Sequence, residues 1–246
     1  MLFNLIPEKL SYLGIILLPV IVCTALLALF KNKLPKDQGR DFAFNGKLSA
    51  GKIRGAGIIF VIAFIIVSLL VLPLPLKMNL EYYFYLILVF FGMLSGYLDD
   101  AAEKPWGEYK KGIIDLVISA LTAANFVFFN PDSLNISFFG MNLNIHPVIF
   151  GIIAAVLVWM LINATNCSDG IDGFCGSLTI VSLVSIMIAN KFLAVEDERI
   201  NWLIIILIGT LIPYLWFNSE PSTMMMGDAG SRALGLFLCI CILKTG

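Results

Sequence analysis

The sequence is poor in charge. Only 13% of its 246 residues are Asp, Glu, Lys or Arg, 59% are hydrophobic, and the formal net charge is −1. A soluble domain carries about twice that charged fraction, so a solvated globular fold is excluded, and a near-neutral chain offers nothing to nucleic acid. Histidine is nearly absent: His146 stands alone, beside Pro147 at the start of an apolar run. That removes a His-based nucleophile–base pair from the options, and with it serine-hydrolase chemistry for Ser168 or Ser231. The five cysteines, Cys23, Cys167, Cys175, Cys239 and Cys241, have no metal-like or disulfide-framework spacing. They read as small buried hydrophobes. Tandem repeats and low-complexity segments are missing too. Met1 opens no charged n-region with a small-residue cleavage pattern, so the first apolar run is expected to be a retained helix.

What is present is apolar length. Mean hydropathy is +0.93, and a membrane span needs about 20 apolar residues. Eight runs qualify, at 10–30, 55–73, 82–98, 112–129, 147–165, 175–192, 200–217 and 230–244. The expected fold is an all-α, polytopic membrane bundle forming one transmembrane catalytic domain over residues 1–246. Loops after odd-numbered helices hold Lys31, Lys33, Lys36, Arg40, Lys47, Lys52, Arg54, Lys104, Lys110 and Lys111, whereas those after even-numbered helices hold Lys77 and Arg199. The positive-inside rule then makes the odd-side loops cytoplasmic and puts the N-terminus outside. The segment LNISFFGMNLNI, residues 134–145, alternates apolar and polar residues about Gly140, which predicts a small β-hairpin on the outer surface.

The acidic residues follow the odd-side helices. GYLDD ends the third with Asp99 and Asp100; NCSDGIDG follows the fifth with Asp169 and Asp172; FNSEPSTMMMGDAGS follows the seventh with Glu220 and Asp228. An Asp-Asp at one helix end is ordinarily a solvated cap. Three acidic clusters on one face of so uncharged a chain mark function, because a carboxylate at a membrane boundary costs several kcal/mol by order of magnitude unless paired or bound to a cation. Hard oxygen ligands favour Mg²⁺ or Mn²⁺. Lys47, Lys52, Lys104, Lys110 and Lys111 lie on the same face to neutralise phosphate, and Gly170, Gly173, Gly227 and Gly230 let backbone approach a ligand. Carboxylate, metal, lysine and glycine together suit phosphoryl transfer on a pyrophosphate. Within NATNCSDGIDG, Asn163, Asn166, Asp169 and Asp172 recur every three residues. The stretch is expected to end a helix and open into a loop, amides first and carboxylates after. An Asn/Asp-Gly turn is the plainer alternative.

LDD at 98–100, NATNCSDGIDG at 163–173 and FN…MGDAGS from Phe217 to Ser231 resemble the polyprenyl-phosphate N-acetylhexosamine-1-phosphate transferases, glycosyltransferase family 4. GKLSAGKIRGAG at 46–57 is a weaker match. Ser168 before Asp169 and WFNSEPSTMMMGD lean toward the peptidoglycan branch, which moves phospho-N-acetylmuramoyl-pentapeptide from UDP to undecaprenyl phosphate and releases UMP. The resemblance implies a multi-pass enzyme of the bacterial inner (cytoplasmic) membrane with its active face cytoplasmic. Its partners would be a UDP-linked amino sugar, undecaprenyl phosphate, membrane lipid and, as the candidate assembly, a second copy in a homodimer. It implies Mg²⁺, with Mn²⁺ as substitute, held by Asp228 and secondarily Asp172. It makes Asn163, Asn166, Asp169, Asp172, Asn218 and Ser231 substrate-binding, with Lys47 or Lys111 near the donor phosphates. Asp99 is then the expected base and Asp100 its support. The family pattern carries about ten helices and a His-rich cytoplasmic loop, so a C-terminal part of that pattern is expected to be missing here. Arg232 stands where the family has an aliphatic residue. The alternatives are a GlcNAc-1-phosphate or related hexosamine-1-phosphate transferase, separated by donor assay, and a secondary transporter. A transporter ordinarily keeps its acids near the membrane midplane rather than at one boundary. A CDP-alcohol phosphotransferase needs an Ala-Arg after DGIDG and further spaced aspartates that this sequence lacks.

Overall fold

A computed structural model describes residues 8–37, 39, 49–71, 79–138, 141–193 and 197–245, with side-chain environments from residue 14 onward and not for 135–144. Among these residues eight α-helices follow one another: α1 Glu8–Phe30, α2 Gly57–Val71, α3 Leu80–Asp100, α4 Glu108–Phe129, α5 Pro147–Ser168, α6 Phe174–Phe192, α7 Glu198–Asn218 and α8 Gly227–Thr245. Each coincides with one of the eight apolar runs. Most outrun them by a few residues, because polar residues extend the helix past the apolar stretch. Thus α3 carries Asp99 and Asp100 in its last turn, and α5 continues through Asn163 and Asn166 to Ser168. Asp228, expected on a turn after the seventh helix, lies in the first turn of α8. Between α4 and α5 two strands, β1 Asn135–Phe138 and β2 Met141–Asn144, pair antiparallel with Asn135 opposite Asn144. The chain enters α5 through His146, whose Nδ1 accepts the Val148 N–H at 3.3 Å. This cap is a structural use of the lone histidine.

Six helices (α1 and α3 to α7) include stretches long and apolar enough to cross a membrane. Their outward residues are large and apolar: Ile152, Val156 and Met160 on α5, Ile113, Val117 and Leu121 on α4. A surface of that kind is satisfied by lipid, while the helical backbone bonds to itself. The chain is therefore an all-α polytopic membrane bundle.

The pillar of the bundle is α8. From Ala229 to Cys241 every residue is buried, and α8 packs chiefly against α3 and α5. Association of helices in a bilayer depends on close backbone approach at small residues, and α8 meets such residues on three sides. A Cβ at Gly57 would stand 2.0 Å from Gly230 N; one at Gly96, 2.3 Å from the Asp228 carbonyl; one at Gly235, 2.6 Å from Leu161 O. Aromatic contacts fill the wider gaps, with Phe60 5.1 Å from Tyr214 and Phe64 5.1 Å from Phe237.

At the end where α3 finishes and α8 begins, two loops are stitched together. Ile53 bridges antiparallel to Lys36 and parallel to Met224. Met225 N–H donates to Ile53 O at 2.7 Å, and Ala56 and Gly57 donate to Met225 O and Met226 O at 3.1 and 3.0 Å. This backbone floor carries Lys52 and Arg54 to the helix ends.

Gly96→Ala is expected to force α3 from α8 and to cost at least about 1–3 kcal/mol in thermal unfolding of the detergent-solubilised protein. Gly112→Ala, with nothing within 4 Å of its Cβ, is expected to be neutral or to gain up to about 1 kcal/mol from helix propensity.

Candidate active site

Asp100 closes one helix and opens another. Its Oδ1 accepts the Asp228 N–H at 3.2 Å and its Oδ2 the Ala229 N–H at 3.0 Å. A carboxylate is thus placed on the positive N-terminal end of α8. Arg54 Nε donates to the same Oδ1 at 2.9 Å, and the guanidinium reaches Asp37 at 3.5 Å. Burial alone would lower the Arg54 guanidinium; Asp100, Asp228 and Asp37 outweigh it and hold it above its ordinary value. The fit leaves no room for a side chain at Gly227, where φ is +67° and a Cβ would stand 2.3 Å from Asp100 Oδ2.

Asp99, beside it, is turned toward α4. Its Oδ1 accepts the Trp106 N–H at 2.5 Å, and Lys111 Nζ lies 2.7 Å from its Oδ2. Lys111 also reaches Asp228 Oδ2 at 3.1 Å, so one ammonium joins the carboxylates that end α3 and begin α8. Asp228 Oδ1 accepts from Asn166 Nδ2 at 3.2 Å; the same amide donates to Ser231 Oγ at 3.0 Å, and the Ser231 hydroxyl donates to Gly227 O at 3.0 Å. The side chains of Asp99 and Asp100 are fully enclosed, whereas Asp228 is 14% exposed and Lys111 19%. The reachable edge of the cluster is therefore Asp228 with Lys111.

Asp169 follows α5 directly. Burial pushes its carboxyl well above the usual carboxylate range, and the charges of Asp100 and Asp228 add to the effect. The Gly227 N–H and Arg54 oppose it only partly. Asp172, three residues further on in an exposed position, is held by Lys52 Nζ at 2.7 Å. Asn218, the last residue of α7, is 3% exposed. Its Oδ1 accepts the Gly173 N–H at 3.0 Å and its Nδ2 donates to Met224 O at 2.8 Å, so it ties the 169–173 loop to the 219–226 loop.

Of the residues singled out from sequence, Asp99, Asp100, Lys111, Asn166, Asp169, Asp228 and Ser231 thus come together. Asp172 joins through Lys52 at the rim. Asn163 lies one helical turn before Asn166, and its amide donates to Trp159 O at 2.8 Å on its own helix. Lys47 lies outside the described residues. Sequence inspection missed three participants. Arg54 was one basic residue among many in its loop. Asp115 and Arg232 form a buried ion pair, with Arg232 Nε 3.0 Å from Asp115 Oδ1 and Nη2 on the same oxygen. The signal for that pair was present, since each is a charged residue inside an apolar helix, and such residues are costly without a partner.

The donors around Asp228 and Asp169 are all oxygen, and carboxylates outnumber the cations that touch them. Among the described residues no three His, Cys, Asp or Glu side chains form a ready metal cage. A hard divalent cation needs only one or two such carboxylates, because it completes its shell with water and substrate phosphates. Oxygen ligands, a bridging lysine and a rigid helix start are the kinds of group that phosphoryl transfer uses.

The family model for glycosyl transferase family 4 matches residues 82–246, and the chain belongs to that family. It is similar to the phospho-N-acetylmuramoyl-pentapeptide-transferase of Treponema pallidum subsp. pallidum, 38% identical over 230 residues, covering 87% of this chain and 62% of that protein. The protein of the same name from Lactobacillus gasseri is 31% identical, with 96% of this chain and 74% of the relative covered; that from Streptococcus gordonii is 30% identical, covering 76% and 58%. The chain thus spans about 62% of the length of the Treponema relative.

Asn218→Ala leaves the half-buried Gly173 N–H without its side-chain acceptor and takes one of two donors from the Met224 carbonyl, which keeps the Ser222 hydroxyl at 3.2 Å. It is expected to cost on the order of 2 kcal/mol and to expose the 169–173 loop to proteolysis. Asn163→Ala removes only a bond within one helix and is expected to leave thermal unfolding almost unchanged, so any loss of nucleotide affinity in that variant reports binding alone.

Proposed function

We propose that this chain carries the catalytic machinery of a Mg²⁺-dependent transferase, with Mn²⁺ as substitute. It moves phospho-N-acetylmuramoyl-pentapeptide from its UDP carrier to undecaprenyl phosphate and releases UMP. The observation that carries this is the meeting of Asp99, Asp228, Lys111, Asn166 and Asp169 at one end of the bundle, in a chain similar to proteins of that name. An apolar cleft of about 410 Å³ between α3 and α4 supports a lipid acceptor: it ends at Leu98 and Trp106, beside Asp99. The excess of basic residues in the odd-side loops supports a cytoplasmic position for this end and an N-terminus outside, in the reading that the membrane is the bacterial inner membrane. In the same reading, two copies assemble as a homodimer.

Asp228 is the proposed cation ligand. Asp172 is the second ligand of the sequence reading; Asp169, which feels the charge of Asp228 directly, is the nearer candidate. A divalent cation there supplies charge neutralisation of the pyrophosphate oxygens. Asn163, Asn166, Ser231 and Asn218 orient the donor or its loop, and Lys111 and Lys47 balance its phosphates. Lys111 turns from Asp99 toward the substrate, which uncovers the enclosed Asp99 carboxylate. Asp99 then takes the proton of the lipid phosphate while Asp100 holds α8 in place. The lipid phosphate oxygen attacks the donor's β-phosphorus. The bond from that phosphorus to the bridging oxygen breaks, and UMP leaves with the oxygen.

Asp228→Asn is expected to lower Mg²⁺-dependent turnover ~10²-fold or more without loss of helical content in detergent. Asp99→Asn is expected to regain activity as pH rises above about 6, where a phosphate monoester loses its second proton unaided. Direct displacement also predicts that enzyme, UDP-sugar and Mg²⁺ without lipid phosphate release no stoichiometric burst of UMP; label trapped on an aspartate would instead establish a two-step route.

Asp169 yields a pH dependence. Its native value is raised, so the folded chain binds this proton more tightly than the unfolded chain. That stabilisation is complete below the unfolded value and is lost as pH rises through the native one. Thermal stability without divalent cation is therefore expected to fall with rising pH, and Asp169→Asn to flatten that slope.

A further inference from the structure

Two ion pairs cross from α4 to α8 one helical turn apart, and their polarity is reversed. Lys111 of α4 meets Asp228 of α8 at 3.1 Å. One turn along each helix, Asp115 of α4 meets Arg232 of α8 at 3.0 Å. Each charge is therefore flanked by opposite charge across the gap and along its own helix, where the i, i+4 spacing makes neighbours. The upper pair borders the reachable edge of the site; the lower one is closed off, with Arg232 2% and Asp115 4% exposed.

The backbones contribute little to this crossing. α8 packs on α3 and α5, α4 packs on α5, and direct approach of α4 to α8 is slight. The long Arg232 side chain spans the gap, and its Nη2 also donates to the Lys111 carbonyl at 3.5 Å. Arg232 thus grips both the turn of α4 that presents Lys111 and the carboxylate nearest to it on that helix.

We propose that Asp115 and Arg232 are positioning residues that keep Lys111 between Asp99 and Asp228, and thereby set how tightly Asp228 holds a divalent cation. The proposal rests on the reading of Asp228 as a cation ligand. Its physical content is directional. Without Arg232, the buried Asp115 draws Lys111 down its own helix, and Asp228 is left more anionic. Without the Asp115 charge, the unpaired Arg232 turns to Asp228 one turn away and competes with a bound cation. A pair that served only to hold the helices together would make both losses act alike.

The test is Mn²⁺ binding to the detergent-solubilised chain, followed by electron paramagnetic resonance with no substrate present. Arg232→Met is expected to tighten binding about fivefold or more, and Asp115→Asn to weaken it by a similar factor. The double variant Asp115→Asn/Arg232→Met should return to within about twofold of the unmodified chain, and Arg232→Lys should stay close to it. Shifts of one sign in both single variants, or equal or absent Mn²⁺ binding throughout, overturn the proposal. Where a single variant fails to fold, the inverted pair Asp115→Arg/Arg232→Asp keeps the bridge and adds negative charge beside Asp228. Tighter Mn²⁺ binding is expected there, and unchanged affinity overturns the proposal. Opposite shifts in a chain that transfers no sugar phosphate would sink the proposed function alone; transfer activity with shifts of one sign would sink this inference alone.

Discussion

The site depends on one contact. The Asp100 carboxylate, at the last turn of α3, accepts the first free backbone N–H groups of α8. The start of a helix leaves N–H groups that need partners, and inside a lipid-embedded bundle little water is available to supply them. Asp100 supplies them from a different helix, and Arg54 compensates its charge. The absence of a side chain at Gly96 and Gly227 allows the approach. Asp228 is thereby fixed to the end of the helix that carries Asp99, and the distance between these two carboxylates is set before any ligand arrives.

Around that contact the charges are arranged in opposed sets. Lys111 neutralises Asp99 and Asp228 together, Arg54 serves Asp100 and Asp37, and Arg232 serves Asp115. At the opposite end of the bundle Lys244 contacts Glu81 at 3.1 Å and Asn130 at 2.9 Å. Tyr82 donates to Asp197 there at 2.8 Å. Breaking one member of such a set is costly because its partner stays buried and charged. The two ends differ in access: Lys244 and Glu81 are closed from solvent, whereas Lys111 and Asp228 are partly open. Of the two, the second is the one a ligand from solvent can reach.

The helices were legible because an apolar run of membrane length admits few other structures, and all eight fall where the hydropathy puts them. The convergence of Asp99, Asp169 and Asp228 was legible because membrane topology forces the ends of α3, α5 and α7 to one side. The division of labour was not. That Asp100 caps a helix 128 positions away, or that Asn218 is a tether between two loops, depends on which way a side chain points at a helix crossing. Periodicity carries no such information. Arg232 was visible as an oddity and became intelligible only with Asp115, 117 positions earlier on another helix. The match to glycosyl transferase family 4 from residue 82 onward spans all three acidic motifs.

Because α8 is enclosed on every side, it also constrains how the protein is made. It bears Asp228 and Lys244 at its two ends and Arg232 inside, and a charged residue at the centre of a helix entering lipid alone costs about 2.5–3.5 kcal/mol, less toward the ends. Its Gly and Ala residues offer little to offset that. A segment of this kind is a poor substrate for one-at-a-time delivery into the bilayer during translation. The segments that neutralise it, α3 with Asp100 and Glu81 and α4 with Asp115, leave the ribosome earlier. Order along the chain therefore puts the charged partners of α8 ahead of it, so that they are already made when the charged pillar emerges.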